Sequence, residues 1–284
     1  MALPAKTFDR ELIARHLRRR QAGFDDFVTR LALVDLADRL IAVSRAFDQA
    51  LILAPDAASL PLAGRTGGGE FSFERAATII GPEPVDAEAL ALPRPQYDLI
   101  VSIFDLQVVN DVPGFLARVR EHLAPDGLFL AAVIGGRSLS ELRQAFLAAD
   151  AEVSGGAFAR VAPFIPLGDS GGLLQRAGFA LPVTDVETHI VRYRTPLALM
   201  QELKALGASN PLADRPGRLA TPRLLAAASA AYTAFAGDPD GRVRATLDII
   251  WLSGWAPHES QQKPLKPGSA QTSLTKVLGK GPGA

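Results

Sequence analysis

The amino-acid sequence predicts an α/β protein whose central sheet is largely parallel and covered on both faces. Two short runs, Tyr97–Phe104 and Leu128–Gly136, are continuously apolar and rich in β-branched residues, which is typical of strands buried on both sides. A segment with the helical period of apolar residues, Asp111–Leu123, lies between them. Such an alternation of strands and helices indicates a parallel sheet flanked by helices.

The N-terminal part begins with two predicted helices. Residues Phe8–Arg20 and Asp25–Val43 place apolar side chains at i, i+3, i+4 and i+7, so each is expected to pack one face against the rest of the protein. A buried strand is predicted at Ala50–Ala54. A second short strand is predicted at Ala77–Gly81, where a Gly-Pro pair ends it.

The middle of the chain carries local signals for helix ends and turns. Asp111 is a candidate N-cap with Pro113 in the first helical turn, and the residues Ala-Pro-Asp-Gly at 124–127 predict a turn before the next strand. Ser138, followed three residues later by Glu141, predicts a capping box at the start of the next helix.

The C-terminal part predicts two strands separated by helices. A short helix is expected to end at Gly178, and Pro182–Tyr193 alternates in the manner of a strand. Two helices follow. The turn Asp238–Gly241 then leads into a long last strand, Arg242–Pro257, which is expected to pair antiparallel with the earlier one at the edge of the sheet. The segment from Lys263 onward is rich in Lys, Gly, Pro and Ser and predicts a flexible tail.

The chain shows no internal repeat and no break in composition, so we predict one domain. Its parts are N-terminal helices over residues 1–45 and a sheet domain over residues 46–262. That domain is expected to hold a helical insertion at about 195–237, and residues 263–284 form the predicted tail.

Composition limits the classes of function. The chain has 30 Lys plus Arg and 30 Asp plus Glu, so its formal net charge is zero and no overall field favours nucleic acid or an anionic membrane. It has no Cys, which excludes thiolate metal sites and Cys nucleophiles. No apolar run approaches the roughly 20 residues of a membrane span, and no secretory signal is recognisable. These features predict a cytoplasmic protein.

The stretch Tyr97–Gly136 resembles the fourth strand, the next helix and the fifth strand of class I S-adenosylmethionine-dependent methyltransferases. The residues that match the superfamily pattern are Asp98, Asn110, Asp111, Leu123, Pro125, Asp126 and Gly127. The resemblance implies a Rossmann-like methyltransferase sheet with a helical N-terminal prologue and a helical insertion before the last strand.

The C-terminal half narrows the resemblance. Segments such as Ala198–Asn210 and Asp238–Pro264 are similar to the methyltransferase-like assembly factors of respiratory complex I and their bacterial relatives. The malonyl-carrier methyltransferases of biotin synthesis are more distant relatives. In the complex I group, the resemblance implies modification of an arginine on an iron–sulfur-bearing subunit, by hydroxylation or by methyl transfer.

The loop after the first strand departs from this resemblance. The superfamily carries three alternating glycines there, which let backbone N–H groups approach the cofactor. This chain has Ala54-Pro55-Asp56 instead, and Pro55 has no N–H to donate. The glycine triplet Gly67–Gly69 comes too late to serve that turn. We expect it to bridge a shortened connection between the first and third strands.

Ligands of parallel α/β sheets bind beyond the carboxyl ends of the strands. The resemblance implies an S-adenosylmethionine site there, and the expected cofactor contacts are Ala54, Pro55, Asp56, Glu83, Phe104 and Leu106. A substrate or partner surface is expected at Gln107, Asn110, Asp111, His258 and Glu259. Asp105 adds a carboxylate where the relatives have Ser. The sequence identifies no catalytic residue.

No metal site is predicted. His258 and Glu259 are adjacent, and adjacent side chains of an extended segment point to opposite faces, so they cannot clamp one ion alone. The segment around them is expected to serve docking or to close the pocket. The other histidines are scattered over two helices and a strand.

Two functions remain open from the sequence. One is an S-adenosylmethionine-dependent enzyme that modifies a protein or a small molecule. The other is a catalytically degenerate protein of the same fold, which has lost the cofactor loop and serves as a binding protein or assembly chaperone. The partner that the resemblance implies is a respiratory complex I subunit or another protein substrate.

Overall fold

The described residues form seven strands and seven α-helices, and their order agrees with the sequence prediction for most of the chain. The computed structural model describes residues 6–20, 25–217 and 219–262. The helices are α1 Arg10–Arg18, α2 Phe27–Ile41, α3 Val112–Glu121, α4 Ser140–Ser154, α5 Leu167–Arg176, α6 Pro196–Ala205 and α7 Pro222–Ala236. The strands are β1 Ala50–Asp56, β2 Ala63–Thr66, β3 Gly69–Ile80, β4 Tyr97–Ile103, β5 Leu123–Ile134, β6 Ala180–Tyr193 and β7 Val243–Trp255.

All seven strands form one sheet in the order β2-β3-β1-β4-β5-β7-β6. The central strands β3, β1, β4 and β5 are parallel. Strand β7 is antiparallel to β5, and β6 is antiparallel to β7. This mixed α/β sheet, with α1 and α2 before it and α6 and α7 between the last two strands, confirms the predicted Rossmann-like fold.

Both faces of the central strands are covered, which explains their continuous apolar sequence. On one face, α3 and α5 pack through residues such as Phe115 and Leu174 against Leu53 and Phe129. On the other face, α2 packs against the sheet through a stripe that includes Leu36. No helix in the described part of the chain is long and apolar enough to cross a membrane.

The strand predicted at Ala77–Gly81 is only the last part of β3. Strand β3 is 12 residues long and begins at Gly69, so the prediction of a short strand is wrong in its start, and it pairs in parallel with β1 itself. The antiparallel strand β2 takes the place at the sheet edge. The longer strand forms because Phe71 and Phe73 bury their rings in the core beneath α2. The connection is short, as predicted, but it is a hairpin.

The glycine triplet is the turn of this β2–β3 hairpin. The Gly67 nitrogen donates to the carbonyl oxygen of Val43 at 2.8 Å, and the Gly68 nitrogen donates to Thr66 Oγ1 at 3.1 Å. A Cβ on Gly68 would approach the backbone of Arg45 and Ala46 more closely than the 3.0 Å that real Cβ atoms keep. The hairpin tip therefore packs directly on the α2–β1 connection.

The predicted capping box at Ser138 and Glu141 is wrong. Helix α4 begins at Ser140 without a side-chain cap. Ser138 is buried, and its hydroxyl both accepts from the backbone nitrogen of Asp248 and donates to its carbonyl oxygen. Glu141 instead accepts from the backbone and the hydroxyl of Thr246. Both side chains therefore attach α4 to β7.

Two further local predictions have different outcomes. Asp111 caps α3 as predicted, because its carboxylate accepts from the Gly114 nitrogen at 2.9 Å. The predicted turn at 124–127 lies inside β5, where the strand register shifts between Tyr97 and Leu99 of the neighbouring strand. The predicted tail over residues 263–284 lies outside the described residues.

Candidate functional site

A cavity of about 780 Å³ lies at the carboxyl ends of the parallel strands. Its floor is formed by the ends of three strands: Ala54–Asp56 of β1, Ile103 of β4 with Phe104 directly after it, and Ile134 of β5. Helices α1 and α6, with the loop after α6, contribute the opposite wall. Sites for small molecules are typically concave and about 300–1,000 Å³ in volume, so this cavity is large enough for a ligand.

Five residues of the predicted sites line this cavity. They are Ala54, Pro55, Asp56, Phe104 and Gln107. The backbone of Phe104 has a φ of 61°, a left-handed conformation that is uncommon for a residue with a side chain. Its nitrogen donates to the carbonyl oxygen of Ala132, which fixes this turn at the floor.

The two other predicted cofactor contacts do not line the cavity. Leu106 is 1% exposed and packs in the core beneath the sheet, on the side of α3. Glu83 is exposed in the loop after β3. Although β3 adjoins β1, Glu83, which follows β3, is not among the residues that line the cavity.

The predicted substrate or partner surface is divided among three places. Gln107 lies in the cavity, whereas Asn110 holds the N-terminal segment, its Oδ1 accepting from the Phe8 nitrogen at 2.8 Å. Asp111 is occupied as the cap of α3.

His258 and Glu259 follow β7, which runs antiparallel to β5. The end of β7 pairs with the start of β5, so these two residues lie at the edge of the sheet opposite the cavity. They cannot close the pocket, and that part of the prediction is wrong. A docking role for them stays a prediction. Among the described residues, no group of three His, Asp or Glu side chains could hold a metal ion.

The exit from β1 does not fit the cofactor cradle that the resemblance implies. Pro55 offers no N–H, and Asp56 uses its carboxylate to accept from the Ala58 nitrogen at 3.0 Å. In the described chain no helix stands between β1 and β3, so the turn after β1 does not lead into a helix; the helix N-terminus on this part of the cavity wall is that of α2. The turn after β1 therefore lacks the glycine-rich loop and the following helix with which the superfamily holds S-adenosylmethionine.

An arginine lies across this exit instead. Arg20, at the end of α1, places Nη1 3.8 Å from the carboxylates of both Asp26 and Asp56. Its Nε donates to the carbonyl oxygen of Leu206 at 2.7 Å. Arg20 therefore ties the end of β1 to the start of α2 and to the loop after α6. The sequence predicted a helix over Phe8–Arg20 but carried no signal for this contact.

Beneath the floor, Asp105 connects the ends of two strands. Its carboxylate accepts hydrogen bonds from the hydroxyls of Thr78 in β3 and Ser102 in β4, and its side chain is buried. Burial raises the pKa of the Asp105 carboxyl to about 6 from an ordinary value near 3.8, although both hydroxyls act in the opposite direction. The carboxylate predicted to face a ligand is therefore a structural group.

We expect Asp105→Asn to remove a pH dependence of stability. The native protein keeps the Asp105 proton up to a higher pH than the unfolded chain, so stability falls as the pH rises from about 4 to about 6. The free energy of unfolding is expected to fall by about 3 kcal/mol over this pH range. Denaturant unfolding of both proteins between pH 4 and pH 7 should show the variant gaining stability relative to the natural chain. Glu152→Gln, which changes an exposed carboxyl of α4, is the matched control. A constant difference across this range would contradict the assignment.

The cationic side chains of the cavity wall had no direct signal in the sequence. Arg160, Lys204 and Arg215 line it together with Arg20. Arg160 pairs with Asp150, which is completely buried in α4. Asp150 lies among the apolar positions of that helix, and a carboxylate in such a position requires a nearby cation. The position of Asp150 was therefore the signal in the sequence from which a nearby cation could have been predicted.

Similar proteins are known at the level of sequence. The chain is 39% identical over 189 residues to the mitochondrial arginine-hydroxylase NDUFAF5 of Homo sapiens, an alignment covering 66% of this chain and 54% of that protein. It is 32% identical over 217 residues to the malonyl-[acyl-carrier protein] O-methyltransferase of Xylella fastidiosa, covering 76% of this chain and 70% of that enzyme. No protein-family model matches the chain.

The alignments with the arginine-hydroxylases are partial. The chain covers 59% of the length of the Danio rerio protein and 42% of the Dictyostelium discoideum protein. Among solved structures, phosphoethanolamine N-methyltransferase 2 of Haemonchus contortus, in complex with S-adenosyl-L-methionine, is 12% identical with a TM-score of 0.41. That alignment covers 88% of this chain and 57% of the solved one.

Proposed function

This chain belongs to the methyltransferase-like family of the NDUFAF5 arginine-hydroxylases and the bacterial malonyl-[acyl-carrier protein] O-methyltransferases, and from that premise we propose that it is a ligand-binding member without the family's cofactor. The proposal is a binding or assembly protein whose crevice does not hold S-adenosylmethionine in the manner of the superfamily. The protein that it serves is proposed to be a subunit of respiratory complex I, as the resemblance implies, and its proposed location is the cytoplasm.

The exit from β1 is the observation that carries this proposal. A methyltransferase of this fold needs backbone donors there, and in this chain Pro55, the Asp56–Arg20 pair and the β2–β3 hairpin occupy that region. This chain differs from the superfamily in the whole connection after the first strand, because a β-hairpin stands where the superfamily has a helix. The missing glycines are therefore only part of that difference.

We expect calorimetry to detect no binding of S-adenosylmethionine to the purified protein at ligand concentrations up to about 1 mM. This concentration is the upper end of the usual range of enzyme KM values. S-adenosylhomocysteine should leave the midpoint of thermal unfolding unchanged, since a ligand at about 100 times its Kd would stabilise the native state by about 2.7 kcal/mol. Pro55→Gly serves as the comparison variant and should also fail to bind, because it restores no helix. Micromolar binding to the natural chain would refute the proposal.

A second candidate function is an S-adenosylmethionine-dependent enzyme. The cavity at the carboxyl edge favours it, because that is where ligands of parallel α/β sheets bind. The relatives include one group named for arginine hydroxylation and one named for methyl transfer. Micromolar cofactor binding in the same titration would favour this candidate over the first.

A further inference from the structure

Arg160 is held in the cavity wall by one edge of its guanidinium group. Its Nε donates to Asp150 Oδ2 at 2.6 Å, and its Nη2 donates to Asp150 Oδ1 at 2.7 Å. The side chain of Arg160 is 11% exposed and that of Asp150 is fully buried. This paired geometry fixes the orientation of the guanidinium plane.

The other edge of the same group is not used within the described residues. A guanidinium has five N–H donors, and Asp150 occupies one on Nε and one on Nη2. Nη1 has no hydrogen-bond acceptor among the described residues, yet it is not fully buried, and Arg160 lines the cavity. The edge formed by Nη1 and Nη2 therefore offers two parallel donors, the arrangement that matches a carboxylate.

The surroundings of Arg160 are apolar. The ring of Phe146 lies 5.6 Å from the guanidinium carbon, and the same part of the cavity is lined by Val161, Phe164 and Met200. Apolar walls exclude water, so a charged hydrogen bond made here is stronger than one at the surface.

Four cationic residues line the cavity, Arg20, Arg160, Lys204 and Arg215, and the lining carboxylates are Asp26 and Asp56. Three of these cations already have carboxylate partners: Arg20 faces Asp26 and Asp56, Arg160 pairs with Asp150, and Arg215 pairs with Asp9. The overall charge of the lining therefore does not select the ligand, and the unused Nη1–Nη2 edge of Arg160 is the feature that favours an anion.

We propose that this cavity binds a small molecule that carries a carboxylate on an apolar chain, with the carboxylate on the Nη1–Nη2 edge of Arg160. This inference rests on the proposed function, because it assumes that the cavity is a ligand site. It adds the chemical class of the ligand. The apolar chain lies along the wall formed by α6 and the loop before α5. Asp150 is a positioning residue, because it fixes the plane of the arginine without contacting the ligand.

Octanoate is the probe, and 1-octanol of the same chain length is its uncharged counterpart. Calorimetric titration of the full chain should show octanoate binding at least about tenfold more tightly than 1-octanol, since a hydrogen-bonded charge contributes about 1.5 kcal/mol or more. No binding of octanoate, or equal binding of both compounds, would overturn the proposal.

Two variants test the role of Arg160 while limiting the loss of stability. Arg160→Lys keeps a cation beside Asp150 but has no second parallel donor, and it should weaken octanoate binding about tenfold. The double variant Asp150→Asn with Arg160→Gln replaces the ion pair by a neutral pair and should abolish the preference for octanoate. Circular dichroism confirms that each variant is folded before titration.

Arg176→Gln is the matched control, because it removes an exposed cation that does not line the cavity and should change binding less than about twofold. Octanoate binding that is unchanged in both Arg160 variants would show that the pair only supports the loop, and the proposal would fail. Adding S-adenosylmethionine to each titration separates the two conclusions. If it binds and octanoate still depends on Arg160, the proposed function fails and the ligand assignment holds.

Discussion

Asp150→Ala is expected to destabilise the protein by about 4 kcal/mol, because it leaves the Arg160 guanidinium in an apolar wall without its counter-charge. The carboxylate of Asp150 is fully buried, so water cannot replace it. The loss should be measured as the change in unfolding free energy from denaturant titration. A fall of less than about 1 kcal/mol, the size typical of an exposed ion pair, would mean that solvent reaches Arg160 freely.

The double variant Asp150→Asn with Arg160→Gln separates loss of charge from loss of packing. Replacing both members of a buried ion pair is often nearly neutral, so we expect it to retain most of the natural stability. Asp169→Ala, at an exposed position in the first turn of α5, should cost less than about 1 kcal/mol. If the double variant is as unstable as Asp150→Ala, the effect comes from packing rather than from an unpaired charge.

Gly68→Ala is expected to cost about 3 kcal/mol, because the added methyl group would overlap the backbone of Arg45 and Ala46. Backbone atoms cannot rotate away as the end of a long side chain can. The hairpin tip must therefore move away from the α2–β1 connection. The unfolding free energy should fall, and amide exchange should accelerate in β2 and in the first half of β3.

Gly172→Ala is the matched control for this prediction. Gly172 lies inside α5, where an added Cβ meets no atom within 4 Å. Alanine there should stabilise the helix by about 1 kcal/mol. Equal effects of the two substitutions would indicate that the contact of Gly68 with Arg45 and Ala46 is not a constraint.

Most of the fold could be predicted because its signals are local. Continuous apolar runs identify β4 and β5, and the helical period identifies α2 and α3. The part that could not be predicted is β2 and the first half of β3. Gly-rich segments carry little periodicity, and the burial of Phe71 and Phe73 depends on α2, which lies far from them in sequence.

The candidate site could be predicted only at the strand ends. Pro55 and Phe104 could be predicted as site residues because ligands bind at the carboxyl ends of parallel strands, and both residues line the cavity. The cations of the wall come from α1, α6 and irregular loops, whose positions depend on tertiary packing. Arg160, for example, lies between α4 and α5 in a segment without regular structure.

The β2–β3 hairpin leaves no room for a helix between β1 and β3. A parallel crossover with its own helix needs about a dozen residues or more, whereas here the residues between β1 and β3 already form an edge strand and its turn. A glycine gained near position 55 would supply backbone freedom without any helix to hold an anion. Substitutions in the wall of the cavity should therefore change its binding chemistry more readily than substitutions in the loop after β1.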